Sequence, residues 1–138
     1  MNRETRLAFA IAAAMFVSSC APATTAARCR SGETAAIMES LYFGTAMPGG
    51  SVTATQWQQF LADVITPRFP DGLTAWAAAG QWRNPSGELQ KEDSYVLHVV
   101  HPEDPRFETA VREVIDEYKR RFNQESVLRV RTGTCISF

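Results

Sequence analysis

Two histidines, two acidic pairs and two alternating arginines are the side chains here with the charge and reach to do chemistry. His98 and His101 stand three apart in the run Tyr95 to His101 (YVLHVVH), which has the clearest strand character in the chain. Strand side chains alternate, so the two imidazoles point to opposite faces and cannot share a metal locally. A lone strand histidine is more often a hydrogen-bonded surface residue than a catalytic base. Glu92-Asp93 and Glu103-Asp104 sit beside turns, where solvated loop and cap roles outweigh general acid–base work. Arg129 and Arg131 could hold an anionic ligand. Two exposed arginines on an edge strand are the plainer reading. No Gly-x-Ser-x-Gly elbow, Gly-rich phosphate loop or metal-ligand spacing occurs. The residues therefore assign no catalytic group, no metal and no cofactor.

The cysteines carry more. Arg3 and Arg6 form a short basic region, and Leu7 to Val17 is an unbroken apolar run of 11 residues. About 20 are needed to span a bilayer as a helix, so this run reads as a signal-peptide core. Val17-Ser18-Ser19-Cys20 follows and resembles a bacterial lipobox, in which the Cys thiol is diacylated and becomes the new N-terminus. The alternative is ordinary secretory cleavage near Ala21-Pro22-Ala23. Each buried acyl CH₂ contributes roughly 0.8 kcal/mol, so several chains anchor stably. Ala21, in place of Asp, favours the outer membrane, facing the periplasm. Cys29 and Cys135 remain, an even pair that reads as one disulfide in an exported protein; two free thiols are the alternative. The bond would close a loop worth roughly 4–5 kcal/mol in the chain-entropy picture. The expected organisation is a leader at 1–19, a lipidated Cys20 with a tether over 20–34, and one domain at 35–138.

The elements that must position these residues follow from periodicity. Glu39 to Met47 alternates and reads as a strand, stopped by Pro48-Gly49-Gly50. Thr53 and Gln56 form a capping box before the helical stripe Trp57, Phe60, Leu61, Val64 and Ile65, which Pro67 ends. Leu73 to Trp82 reads as a strand joined to the next by the turn Asn84-Pro85-Ser86-Gly87. Asp104-Pro105 opens a second helix with the stripe Phe107, Val111, Val114, Ile115, Tyr118 and Phe122. Val127 to Phe138 is the last strand. The order β-α-β-β-α-β predicts a ferredoxin-like α+β sandwich: a four-stranded antiparallel sheet with two helices on one face. The last strand then lies beside the first, which brings Cys135 toward Cys29.

Strand phase decides what lines the uncovered face. With Leu41, Phe43, Tyr95, Leu97, Val99, Leu128 and Val130 assigned to the core, the open face carries Tyr42, His98, Arg129 and Arg131. Trp76 and Trp82 share one side of the second strand and are placed at the edge of that face, although the phase there stays open. Such a surface contains apolar area that needs cover.

Aromatics and arginines on an open sheet invite comparison with RNA-recognition domains. The chain holds 14 basic and 15 acidic residues for a net charge of −1 and has no Lys/Arg-Gly-Phe-type run, which excludes a nucleic-acid partner. Three stretches resemble the domain of unknown function family 3574, a group of small secreted or lipid-anchored bacterial proteins. They are Leu41-Tyr42-Phe43-Gly44, Thr66 to Thr74 (TPRFPDGLT) and Gly80-Gln81-Trp82-Arg83. The resemblance covers roughly residues 35 to 138 and implies a compact α+β domain with no established activity. Three functions stay in play. The first is a non-enzymatic envelope lipoprotein binding a protein partner or its own copy through the open sheet. The second is a small-ligand site or enzyme of the dimeric α/β-barrel type. The third is a structural envelope protein.

Overall fold

The computed structural model describes residues 29–138. The expected leader, Cys20 and the tether up to residue 28 lie outside the described residues. The element order is β1 (Thr34–Gly44), β2 (Ala46–Met47), β3 (Gly50–Ser51), α1 (Ala54–Phe60), β4 (Thr74–Arg83), β5 (Leu89–His101), α2 (Pro105–Phe122) and β6 (Leu128–Ile136). The four long strands form one antiparallel sheet in the order β4-β5-β1-β6. The helices pack on one side of it, the ferredoxin-like arrangement that the element order predicts.

Local chemistry accounts for the boundaries. Thr53 accepts from the Gln56 N–H while the Gln56 side chain accepts from the Thr53 N–H, so α1 begins on a complete capping box. Its end widens into a π-helical turn over Leu61–Ile65. Asp104 caps α2, Pro105 occupies its first turn, and Asn123 closes it at a φ of 50°. Gly87 adopts a φ of 90° in the β4–β5 turn, where its N–H donates to the Asn84 carbonyl.

Two strands differ from the sequence reading. β1 starts five residues before Glu39 and stops at Gly44, because the Thr45 N–H turns to the Asp93 carbonyl. Pro48-Gly49 then turns the small β2–β3 hairpin. β5 reaches back to Leu89, so the β4–β5 hairpin outruns the sheet: β1 pairs only with Ser94 to His101.

The core is aromatic. Phe43 sits between Trp57 and Tyr118, with ring centroids 5.2 and 4.7 Å away, and Trp57 stacks on Tyr95 at 4.4 Å. The Tyr118 hydroxyl donates to the Gly44 carbonyl at 2.8 Å, and burial pushes its pKa up. Cys29 and Cys135 are bonded, with Cα atoms 5.5 Å apart. Cys135 lies opposite Ala35, so the bond ties the N-terminal end of the domain to the end of β6.

β6 corrects the sequence reading. Arg129 and Arg131 face the helices, whereas Leu128 and Val130 lie on the open face, 61% and 44% exposed. The cause is Glu39, which shares the core face of β1 with Leu41 and Phe43 and is fully buried. Inverting β6 would leave its carboxylate with only His101, 3.7 Å away. An unpaired buried charge costs about 3–5 kcal/mol. Half-exposing Leu128 and Val130 forfeits roughly 1.5–3 kcal/mol between them.

Candidate functional site

The helix-covered face holds a buried ionic cluster. Arg129 Nε and Nη2 donate to the two Glu39 oxygens at 2.8 and 2.6 Å. Nη1 and Nη2 donate to the two oxygens of Glu108 on α2 at 2.9 and 2.6 Å. One guanidinium thus joins β1, β6 and α2 through two forked contacts. These bonds to Arg129, and a further one from Arg112, hold the Glu108 carboxyl down at about 2. The bonds to Glu39 and then Glu108 raise the Arg129 pKa. Arg131 lies 3.6 Å from Glu39 and bonds Glu103 at 2.9 Å. His101 stacks on Phe107 at 4.5 Å, with Nδ1 against the Pro102 carbonyl. Its Nε2 is buried and has no hydrogen-bond partner among the described residues. The arginine is committed to carboxylates on both sides, which suits it to fastening elements together rather than to receiving an anion.

The other face of the same sheet is built differently. The register places Trp76, Val96, Tyr42 and Leu128 in one row across all four strands. The row runs three strand spacings, roughly 14 Å. Trp76 and Tyr42 flank Val96 so closely that it is 3% exposed, while Trp76, Tyr42 and Leu128 are 42%, 38% and 61% exposed. His98 lies in the neighbouring row with Ser40 and Val130, and the Trp76 ring meets it edge-on at 4.7 Å. Val100 and Trp82 extend the apolar area toward opposite ends. Among the strand residues on this side, Glu92 is the one formal charge. Its carboxylate accepts from the Ala46 N–H at 3.1 Å at the sheet end, over Gly44, where a Cβ would stand 2.5 Å from it.

Of the binding face read from sequence, Tyr42, Trp76, Trp82 and His98 share the open side, and Arg129 and Arg131 do not. His98 and His101 do point to opposite faces. Sequence reasoning missed Glu39, although its parity with Leu41 and Phe43 marks it as a core residue in need of a cation. It also missed Leu128 and Val130 as exposed residues. A groove of about 400 Å³ opens beside β4 and β5, lined by Thr45, Ser51, Val52, Ala77, Asp93 and Tyr95. Its polar groups partly satisfy one another, since the Thr45 hydroxyl donates to the Asp93 carbonyl at 2.8 Å.

Comparison with known proteins identifies a family and a fold. A family described as "Protein of unknown function (DUF3574)" matches residues 38–138. No curated protein matches the chain. Among solved structures, the chain is similar to a phage SAM lyase in complex with S-methyl-5'-thioadenosine. The TM-score is 0.55 at 18% identity, with 81% of this chain and 95% of that one covered. It is also similar to the phage SAM lyase in its apo state, at a TM-score of 0.54 and 16% identity over the same shares. At that identity the likeness concerns the fold alone.

Proposed function

The chain belongs to the DUF3574 family of proteins of unknown function, and from that premise we propose that this member is a lipid-anchored module of the bacterial cell envelope that binds a partner protein through its open sheet face. The observation that carries the reading is the row Trp76–Val96–Tyr42–Leu128 on a face with one formal charge. Interface cores are depleted of charge and enriched in Trp, Tyr and Met, and contiguous exposed apolar area on a soluble domain marks a contact surface. Met38 adds to the same side. The side chains with catalytic potential favour binding over turnover. Arg129 is committed to two carboxylates inside the fold, and His98 packs against Trp76.

The address belongs to the same proposal. The apolar run from Leu7 to Val17 ahead of Cys20 supports export and acylation. The chain after Cys20 then tethers the domain, and Ala21 favours the outer membrane.

The test uses the full chain in its native membranes. A photoreactive phenylalanine analogue replaces Leu128 on the open face or Arg112 on the outer side of α2. A discrete adduct with another protein is expected from position 128 and not from 112. No adduct at 128, or the same adducts at both sites, overturns the reading. A second reading, a small-ligand site closed between two copies, draws on Tyr42 and His98 sharing the face. It would give an adduct of twice the chain mass from position 128.

A further inference from the structure

The two margins of the sheet are unlike. β6 carries Arg129 and Arg131 turned toward the helices, and its end is tied by the Cys29–Cys135 bond. Inward-facing charges on an edge strand are a common device against edge-to-edge pairing. β4 has no such device. It is 10 residues of TAWAAAGQWR, hydrogen-bonded into the sheet through β5 alone, with its one charge at the last position and no proline. Ala77 and Ala79 are exposed on its helix side, and Trp76 and Trp82 are 42% and 51% exposed on the open side. A strand of this kind presents a row of unpaired backbone groups to any second strand.

We propose that β4 pairs antiparallel with β4 of a second copy of this chain about a twofold axis at Ala79. Opposed residues in an antiparallel pair share a face. That condition leaves two twofold registers that engage nearly the whole strand, centred on Ala78 or on Ala79. The first sets Trp76 opposite Gly80 and Trp82 opposite Thr74. The second sets Trp76 of each copy opposite Trp82 of the other, so two cross-strand tryptophan pairs form on the open side and flank Ala78–Gly80 pairs. The second register accounts for both exposed tryptophans at once. The small residues between them leave room for the strands to close. A twofold contact of this kind is isologous, with the same patch used by both copies. The two sheets become one, with the helices still covering one side. The open face stays free, so the inference goes beyond the partner proposal and does not depend on it.

The test is cross-linking of the full chain in its membranes with a short bis-maleimide, read on a non-reducing gel. Ala79→Cys, Ala78→Cys and Leu128→Cys are compared with the parent chain. Edge pairing gives a band at twice the mass of the monomer band that is strongest from Ala79→Cys and absent from Leu128→Cys and the parent. A stronger band from Ala78→Cys overturns the tryptophan register. A band from Leu128→Cys alone places the second copy on the open face and overturns the edge contact, as does no band from any variant. Ala79→Lys supplies an independent check: it should abolish the dimer in sedimentation while leaving the unfolding midpoint unchanged at concentrations where the parent is monomeric. A dimer that survives this substitution contradicts the proposal.

Discussion

Leu128 and Arg129 are neighbours in sequence and opposites in fate. The arginine reaches into the helix-covered side of the sheet and pairs with a fully buried glutamate, while the leucine stands 61% exposed on the other side. The usual placement, with charges out and aliphatics in, is inverted along β6. One buried acid on β1 thus sets the phase of the strand beside it. The apolar open face is partly a by-product of that choice. A by-product need not stay bare, however. Trp76, Tyr42 and Val96 lie on strands whose phase Glu39 does not reverse, and they continue the apolar row that Leu128 ends.

The largest effect should come from breaking the buried side. Arg129→Leu is expected to cost about 3–5 kcal/mol in a urea melt, because it strips the buried Glu39 of both its hydrogen bonds to a cation, and Arg131, 3.6 Å away, makes none. Glu39→Leu combined with Arg129→Leu should recover most of that loss. Equal melts for parent and single variant would dissolve the contrast between the faces. Next in size is the bond between Cys29 and Cys135. Its reduction, or the paired change Cys29→Ser with Cys135→Ser, should lower stability by about 2–4 kcal/mol and lower the melting temperature.

A smaller effect is expected from pH. The Glu108 carboxyl is held at about 2 against an ordinary 4.5. A depressed carboxylate contributes stability in full above its unfolded value and loses it as pH falls toward its folded value. Asp104 and Glu117, also lowered by arginine partners, act with the same sign. Stability should therefore decline between about pH 4.5 and 2, and Glu108→Gln should flatten part of that decline. Because Glu108 is partly exposed, solvent screening keeps its share small. An acid limb identical in both proteins would mean that the Arg129–Glu108 contact does not hold in solution. The smallest effect on folding belongs to the open face. Leu128→Glu should leave the unfolding free energy within about 0.5 kcal/mol of the parent. A large drop would show that Leu128 belongs to the core after all.

Much of this architecture is legible in the chain. The capping box at Thr53, the Asp104-Pro105 start of α2 and the turn at Gly87 each state an element boundary in side-chain chemistry, and each stands where the residues put it. The β-α-β-β-α-β order then brings Cys135 beside the start of β1, and the disulfide follows. The β2–β3 hairpin is visible only as the stop at Pro48-Gly49, since two-residue strands have no periodicity to read. The π-helical turn at Leu61–Ile65 leaves no mark in its apolar spacing. The candidate site is half legible. Alternation places Tyr42 and His98 correctly, because Leu41, Phe43, Leu97 and Val99 are unambiguous core residues. It fails at β6, where aliphatic and cationic residues alternate with the same period in either phase. Hydropathy alone chooses Leu128 and Val130 for the core. The missing term is Glu39, whose parity with Leu41 already demands a buried cation, and β6 is the adjacent strand that supplies one.

The open face as a partner surface is tested most directly by the cross-link yield from the photoreactive residue at position 128 in a chain that also carries Tyr42→Glu. Tyr42 is the next residue in the row, directly opposite Leu128 in register and partly exposed, so the substitution places a charge in the middle of the contact. A partner seated on this face should be lost as an adduct while the unfolding midpoint stays close to that of the parent. An adduct of undiminished yield in a chain that folds normally would contradict a contact on this face.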